Sequence, residues 1–370
     1  MQTSVAIIGG GLAGLHAARL LHAANIDFLL FEARDRLGGR IFSVDETGSV
    51  SADGFDLGPS WFWPQMQPTI GALVAELELP AFVQASDGDV VFERMSREPP
   101  QRYQGYRQEP QSMRLTGGTN ALVRALTAEL PENCIFLSRK VTAAALGADG
   151  VTLTVSNSTG GQESVQAGHV IFALPPRLLE ATVSFSPPVS TAMASRWRQT
   201  ATWMAPHAKF FALYDRPFWR QEGLSGTAQS MVGPLVEIHD ATTATGSAAL
   251  FGFLGVGADE RQSIGEDLLT HACVQQLGRL FGEKALQPRA TLFKDWAADP
   301  ATATKADRTG GAHPSPDRRP WVDGAWQPFI SLAGSETSQT DPGYLSGAVD
   351  AAARTVSAII GSRRDAANRR

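Results

Sequence analysis

The chain opens on an apolar run rich in β-branched residues at 5–8 that stops at three glycines. Beyond them Leu12, Leu15, Ala18 and Leu21 recur at helical spacing as far as Ala23, the period of a helix with one buried face. A second apolar run, 28–31, follows the short break Asn25-Ile26-Asp27. Strand, turn, helix and strand within about 30 residues make a βαβ unit, whose expected home is a parallel sheet. From Trp61 the pattern loosens. A helix is predicted over 69–79, stopped by Pro80, and a polar excursion with Pro99, Pro100 and Pro110 follows. A further helix is predicted over 121–130, then apolar or alternating runs at 135–145, 151–155 and 165–174 read as strands returning to the first sheet. Between Pro187 and Pro328 stand strand-like runs at 208–214 and 250–254, a helix over 266–281 and a loop rich in proline and glycine at 299–320. A strand at 329–333 and a helix over 344–360 close the chain.

Composition narrows the class. With 370 residues, two or three domains are expected, and 43% hydrophobic against 19% charged residues describes a soluble globular protein, not a disordered, collagenous or coiled-coil one. The 37 acidic and 32 basic residues gather into no long run, so no nucleic-acid partner is expected. Cys134 and Cys273 lie far apart without metal-ligand spacing, which argues against a disulfide framework or zinc site and fits a reducing compartment, so a cytoplasmic protein is expected. The N-terminus has no basic flank, its glycines break any signal-like apolar core, and no stretch reaches the roughly 18 apolar residues a membrane span needs. The chain ends in the charged tail SRRDAANRR, and no membrane partner is expected.

Gly9, Gly11 and Gly14 spell G-x-G-x-x-G between the first strand and its helix. The first permits the tight turn, the second lets a pyrophosphate approach the backbone, and the third lets helix and strand pack closely. The helix N-terminus adds unpaired N–H groups and partial positive charge. Glu32 ends the second strand, where a carboxylate accepts from a ribose diol and repels a 2′-phosphate. NAD and FAD both satisfy this. The sequel, Glu32-Ala-Arg-Asp-Arg36-Leu-Gly38-Gly39-Arg40, adds a glycine pair that lets the chain turn back under a dinucleotide and an arginine, Arg40, suited to a pyrophosphate.

Here the sequence resembles the flavin amine oxidases, the family of monoamine, polyamine and L-amino acid oxidases. The resemblance runs on in order through Asp56-Leu-Gly58-Pro59-Ser60-Trp61, Leu115-Thr-Gly117-Gly118, Lys140-Val141 and His169-Val-Ile-Phe-Ala-Leu-Pro-Pro. It continues in Ala208-Lys209 with the sequel Pro217-Phe218-Trp219, and closes in Leu332-Ala-Gly334-Ser-Glu336-Thr337 and Gly343-Tyr344-Leu-Ser-Gly347-Ala348. It implies an α/β chain with a Rossmann-like FAD-binding domain, 1–57, 113–180 and 328–370, interleaved with a mixed-sheet α+β substrate-binding domain, 58–112 and 181–327. Carried over residue by residue, it implies cofactor contacts from Gly9, Gly11, Ala13, Gly14, Glu32, Arg34 and Arg40, from Gly58, Pro59, Ser60 and Trp61, from the Val141 backbone, and from Gly334, Glu336, Tyr344 and Leu345. Lys209 is implied as the lysine that holds water against flavin N5, and Tyr344 as an aromatic wall of the substrate site. Taken singly, Lys209 reads as a strand lysine reaching solvent and Tyr344 as a packed tyrosine; His207, His239 and His313 are read as structural.

The implied reaction is oxidation of an amine by hydride transfer to flavin N5, with imine hydrolysis and reoxidation by oxygen to hydrogen peroxide. The alternatives are an FAD-dependent dehydrogenase or desaturase of a non-amine substrate, and a flavin-binding protein without turnover. Departures fall where substrate is recognised. Between Ala297 and Pro328 stand no Tyr or Phe, only His313, Trp321 and Trp326, so the second aromatic wall usual in monoamine oxidases is missing from its place. That loop also has no cysteine, so FAD is expected to bind noncovalently. The expected partners are a small amine and oxygen, and a homodimer is left open.

Overall fold

The computed structural model describes residues 1–105 and 109–368, with side chains through 365. Residues 106–108 of the polar excursion and the last two of the charged tail lie outside the described residues. The opening unit forms as the pattern predicts: β1 (Gln2–Ile8), α1 (Leu12–Ala23) and β2 (Phe28–Phe31), with β1 and β2 in parallel register from Val5↔Phe28 to Ile8↔Phe31. β1 also pairs in parallel with Gln162–Phe172 on its other side. Flanked on both edges and covered on both faces, it reads as a continuous apolar run instead of an alternation.

The first sheet has eight strands, in the order Ser184–Ser186, Arg139–Leu146, Val151–Asn157, Gln162–Phe172, β1, β2 and Ile135–Phe136, with Ile330–Leu332 pairing the far half of Gln162–Phe172. The run expected as one strand at 135–145 is therefore two. Ser138 takes a left-handed backbone, φ 54°, and turns the chain, so Ile135–Phe136 extends the sheet beyond β2 while Arg139–Leu146 pairs with Val151–Asn157. Val5 and Ile7 face a core built with α1, Asn120–Ala128 and the closing helix Leu345–Asn368; Ala6 and Ile8 face a second core that takes in Trp197 and Trp326. The helix expected over 69–79 runs Pro68–Glu76 and stops before Pro80, at Glu78 with φ 52°.

The second sheet has seven strands, in the order Ala290–Asp295, Ala208–Tyr214, Ala248–Leu254, Leu235–Asp240, Leu224–Ser230, Asp89–Glu93 and Gln101–Tyr103. The helix Glu266–Phe281 covers one face through Leu269, Cys273, Leu277 and Leu280. The other face carries Phe211, Leu213 and Phe251 and packs on Val44, Phe55 and Leu57, the segment that links back to the first sheet. On that face the register aligns Lys294, Lys209, Phe253 and Glu237 in one row across four strands, and directly paired residues project to the same side. Among the described residues no helix is long and apolar enough to cross a membrane, and no group of side chains could hold a metal ion.

Candidate active site

Between the two sheets lies a cavity of about 1170 Å³. The first sheet's side supplies Gly9, Gly11, Leu12, Ala13, Glu32 and Arg34, the linking segment supplies Gly58, Pro59, Ser60 and Trp61, and the second sheet supplies Lys209, Glu237 and Phe253. Gly334, Tyr344 and Leu345 close it from the C-terminal segment.

At one end the glycine turn makes a cradle. A Cβ at Gly14 would fall on the Gly9 carbonyl oxygen, so that glycine serves the close packing of α1 on β1 and not the cavity wall. A Cβ at Gly11 would project into space, 3.8 Å from its nearest neighbour, the Gly38 carbonyl. α1 starts at Gly11 with no side chain capping it, so its N-terminus opens onto the cavity. Glu32 is buried, its Oε2 accepting from the Gly10 N–H at 2.6 Å and its Oε1 from the Arg34 N–H at 2.9 Å. The cradle, the carboxylate and the open helix end fit an adenine dinucleotide.

The three arginines of the motif each have partners within the chain. Arg34 lines the cavity, but its Nη2 donates to Asp299 Oδ1 and Thr302 Oγ1, each at 2.8 Å, tying the segment after β2 to the 299–320 loop. Arg36 holds the turn itself, donating to the carbonyls of Leu37, Gly39 and Ile41. Arg40 also lines the cavity and forms a two-pronged ion pair with Glu336, at 2.7 Å and 3.3 Å. Glu336 is 1% exposed, so it reaches the cavity through Arg40. Val141 is 4% exposed, inside the second core and off the cavity wall.

On the opposite wall Lys209 is buried, its Nζ donating to the Asp56 carbonyl at 3.2 Å, the Gly58 carbonyl at 2.5 Å and Ser60 Oγ at 2.9 Å. Its amine stands 4.7 Å and 5.1 Å from the ring centroids of Phe251 and Phe253. Burial pulls the Lys209 amine down to about 7; nearby Asp56 opposes that and Arg114 adds to it. A strand lysine reaching solvent is therefore not what the fold builds. Ser60 is one of the three acceptors that hold this amine. Trp61 donates from its indole to Gln84 and packs against His239, Phe251 and Phe253.

Tyr344 sits where the closing helix begins, 6.3 Å from Trp63 and 5.0 Å from His313, centroid to centroid. His207 lines the cavity, and burial lowers its pKa, with Arg261 adding to the fall. The sequence reading did not single out Trp203, Met204, Glu237 or Phe253, all of which line the cavity. For Glu237 and Phe253 the signal was available in the register with Lys209; for Trp203, in an irregular turn, no local pattern carried one.

A dinucleotide cradle facing a buried amine across an aromatic-walled cavity marks an oxidoreductase built around a flavin. Residues 100–360 match the model of the flavin containing amine oxidoreductases and residues 7–77 that of an NAD(P)-binding Rossmann-like domain, so the chain belongs to the flavin containing amine oxidoreductase family. It is an FAD-dependent oxidoreductase of amines. It is 25% identical, over 96% of both chains, to AofH of Mycobacterium tuberculosis, named as a flavin-containing monoamine oxidase. It is 28% identical to the L-amino acid dehydrogenase of Synechocystis sp. over 69% of this chain and 52% of that one. A solved structure of putrescine oxidase, wild type bound to putrescine, shares the fold with a TM-score of 0.79 at 21% identity, covering 98% of this chain and 99% of that one.

Proposed function

We propose that the protein oxidises a primary or secondary amine, with FAD, when bound, supplying the hydride acceptor for the substrate α-carbon, followed by imine hydrolysis and reduction of oxygen to hydrogen peroxide. In this reading 1–57, 113–180 and 328–370 bind the cofactor noncovalently and 58–112 and 181–327 shape the substrate space, although Pro68–Glu76, Ser184–Ser186, Trp197 and Trp326 pack with the first sheet.

Each group on the wall has a task in this reading. Gly9, Gly11 and Ala13 open the α1 N-terminus to the pyrophosphate, and Gly14 holds α1 close enough to β1 for that. Glu32 accepts from the adenosine ribose, while Arg34 clamps the loop beside it. Arg40 has its Nη groups held by Glu336, Ser335 and the Trp203 carbonyl, so its charge is balanced and what it brings to the phosphates is its Nε–H and its positive field. Gly58, Pro59, Ser60 and Trp61 would hold the flavin ring, and Gly334 and Leu345 the ribityl chain. The Val141 backbone is kept as the adenine-side contact that the resemblance implies. Lys209, its ammonium N–H groups held by the 56–60 segment, brings a positive charge and, once neutral, a proton-accepting amine to that wall, and Tyr344 walls the substrate amine, which reacts uncharged.

The observation that supports this reading above its rivals is the Lys209 amine, carried across the cavity from the second sheet and held by three acceptors of the 56–60 segment. The test is anaerobic mixing of the FAD-loaded protein with a panel of amines, followed by air. Bleaching of the flavin, then peroxide and an aldehyde or ketone in equal amounts, is expected; a flavin that no amine bleaches overturns the reading. Bleaching without reoxidation by oxygen would keep the amine and replace the acceptor.

A further inference from the structure

The loop between Ala297 and Pro328 puts neither of its tryptophans on the cavity wall. Trp321 lies under the Arg196 guanidinium, 3.7 Å from its ring centroid, and Trp326 packs against Phe185 at 5.1 Å. Both belong to the second core.

A continuous arc of rings nonetheless crosses the cavity. Centroid to centroid it runs Trp63 to Tyr344 at 6.3 Å, Tyr344 to His313 at 5.0 Å, His313 to Trp203 at 4.3 Å, Trp203 to His207 at 6.5 Å and His207 to Phe253 at 6.5 Å. Phe253 in turn faces the Lys209 amine. Trp203 is the central large ring of this arc, and it lines the cavity together with Tyr344. Separate segments fix it. Arg40 Nη1 donates to the Trp203 carbonyl at 3.1 Å, and the neighbouring Thr202 N–H donates to Asp307 Oδ1 at 3.2 Å. Met204 takes a left-handed backbone at φ 63°, a strained choice for a residue with a side chain. Gly343 lacks the Cβ that would stand 2.7 Å from the Trp203 Cβ. A half-buried tryptophan held at this expense beside a cavity is the kind of group that meets a ligand.

We propose that Trp203 is the second aromatic wall of the amine pocket, a specificity-determining residue supplied by the turn before the Lys209 strand, with His313 as the spacer that sets it against Tyr344. The pocket so built favours an amine carrying an apolar or aromatic group, whose body is desolvated between rings. The proposal rests on the amine-oxidation reading above.

The test uses the FAD-loaded protein and its Trp203→Ala and Trp203→Phe variants, with two probes. Benzylamine in the anaerobic half-reaction gives the dissociation constant and the reduction rate separately. Benzyltrimethylammonium, which has neither N–H nor lone pair and forms no imine, is titrated by the change in the flavin absorbance spectrum. Trp203→Ala should weaken both probes about tenfold with FAD content unchanged, and Trp203→Phe should stay within about threefold. Trp203→Ala binding both probes within about twofold of wild type overturns the proposal. Should the alanine variant fail to fold, Trp203→Leu takes its place, keeping bulk but no ring. If no amine bleaches the wild type, the amine reading fails, yet Trp203-dependent binding of benzyltrimethylammonium still upholds the wall and its absence overturns it.

Discussion

Lys209 joins charge to burial, and its ionisation decides what it can do. An ammonium has three N–H donors, and Asp56, Gly58 and Ser60 accept all three. Below its lowered pKa of about 7 the group is charged; above it the amine offers a lone pair to water. Oxygen reduction builds negative charge, so reoxidation of the flavin should be fastest below that pH and slow as pH rises through it. Lys209→Met keeps the stem and removes charge and donors, so stopped-flow traces from pH 6 to 9 should show a flat reoxidation profile, lower by about 10²–10³ at acid pH. Reduction by amine, a hydride step with less charge to stabilise, should fall less. Reoxidation within about twofold of wild type would sink the role. Glu32→Ala probes the other end of the cavity: losing a buried charged acceptor should weaken FAD by about 1.5–3 kcal/mol, read by equilibrium titration of apoprotein.

At the scale of elements, the βαβ unit and the helix Glu266–Phe281 were legible because each has local punctuation. Three glycines end β1, and the helix lies between Gly265 and Gly282, at φ 88° and 90°. The strands Leu224–Ser230 and Gln101–Tyr103 were not legible, since LSGTAQS and QRY alternate weakly and take strand geometry from the ladders they join, Asp89–Glu93 for both and Leu235–Asp240 for the first. The site divides the same way. Gly9, Gly11, Glu32 and Arg40 sit in a local motif, whereas Lys209 needed the family resemblance and Trp203 meets His313, and through it Tyr344, only in the tertiary fold. Gly14→Ala tests the local part. Its Cβ would fall on the Gly9 carbonyl, so α1 must move off β1 and take the cradle with it. A loss of about 1–3 kcal/mol in stability with loss of bound FAD is expected from thermal melts and flavin content; an alanine variant that melts and binds FAD as wild type would mean the contact gives way cheaply.

For the molecule as a whole, the cofactor and the fold should fail together in acid. His16 lies on α1 at 6% exposure, its Nδ1 buried without a partner, and burial, with Arg19 adding to it, lowers its pKa from 6.5 to about 4. The folded state thus refuses a proton that the unfolded chain takes up, so stability is full above pH 6.5 and drains as pH falls toward 4. The window of 2.5 units amounts to about 3 kcal/mol at 1.36 kcal/mol per unit. His169, lowered to about 4 chiefly by burial, works in the same direction on the first sheet. Because α1 carries the cradle at its N-terminus, FAD should be released over the same interval, and acid precipitation should leave a colourless pellet; yellow in the pellet would mean a covalent bond. His16→Leu should flatten the dependence. Melting temperatures from pH 4 to 8 are expected to fall steeply for wild type below 6.5 and less steeply for the leucine variant, and two curves of equal slope would remove His16 as the source.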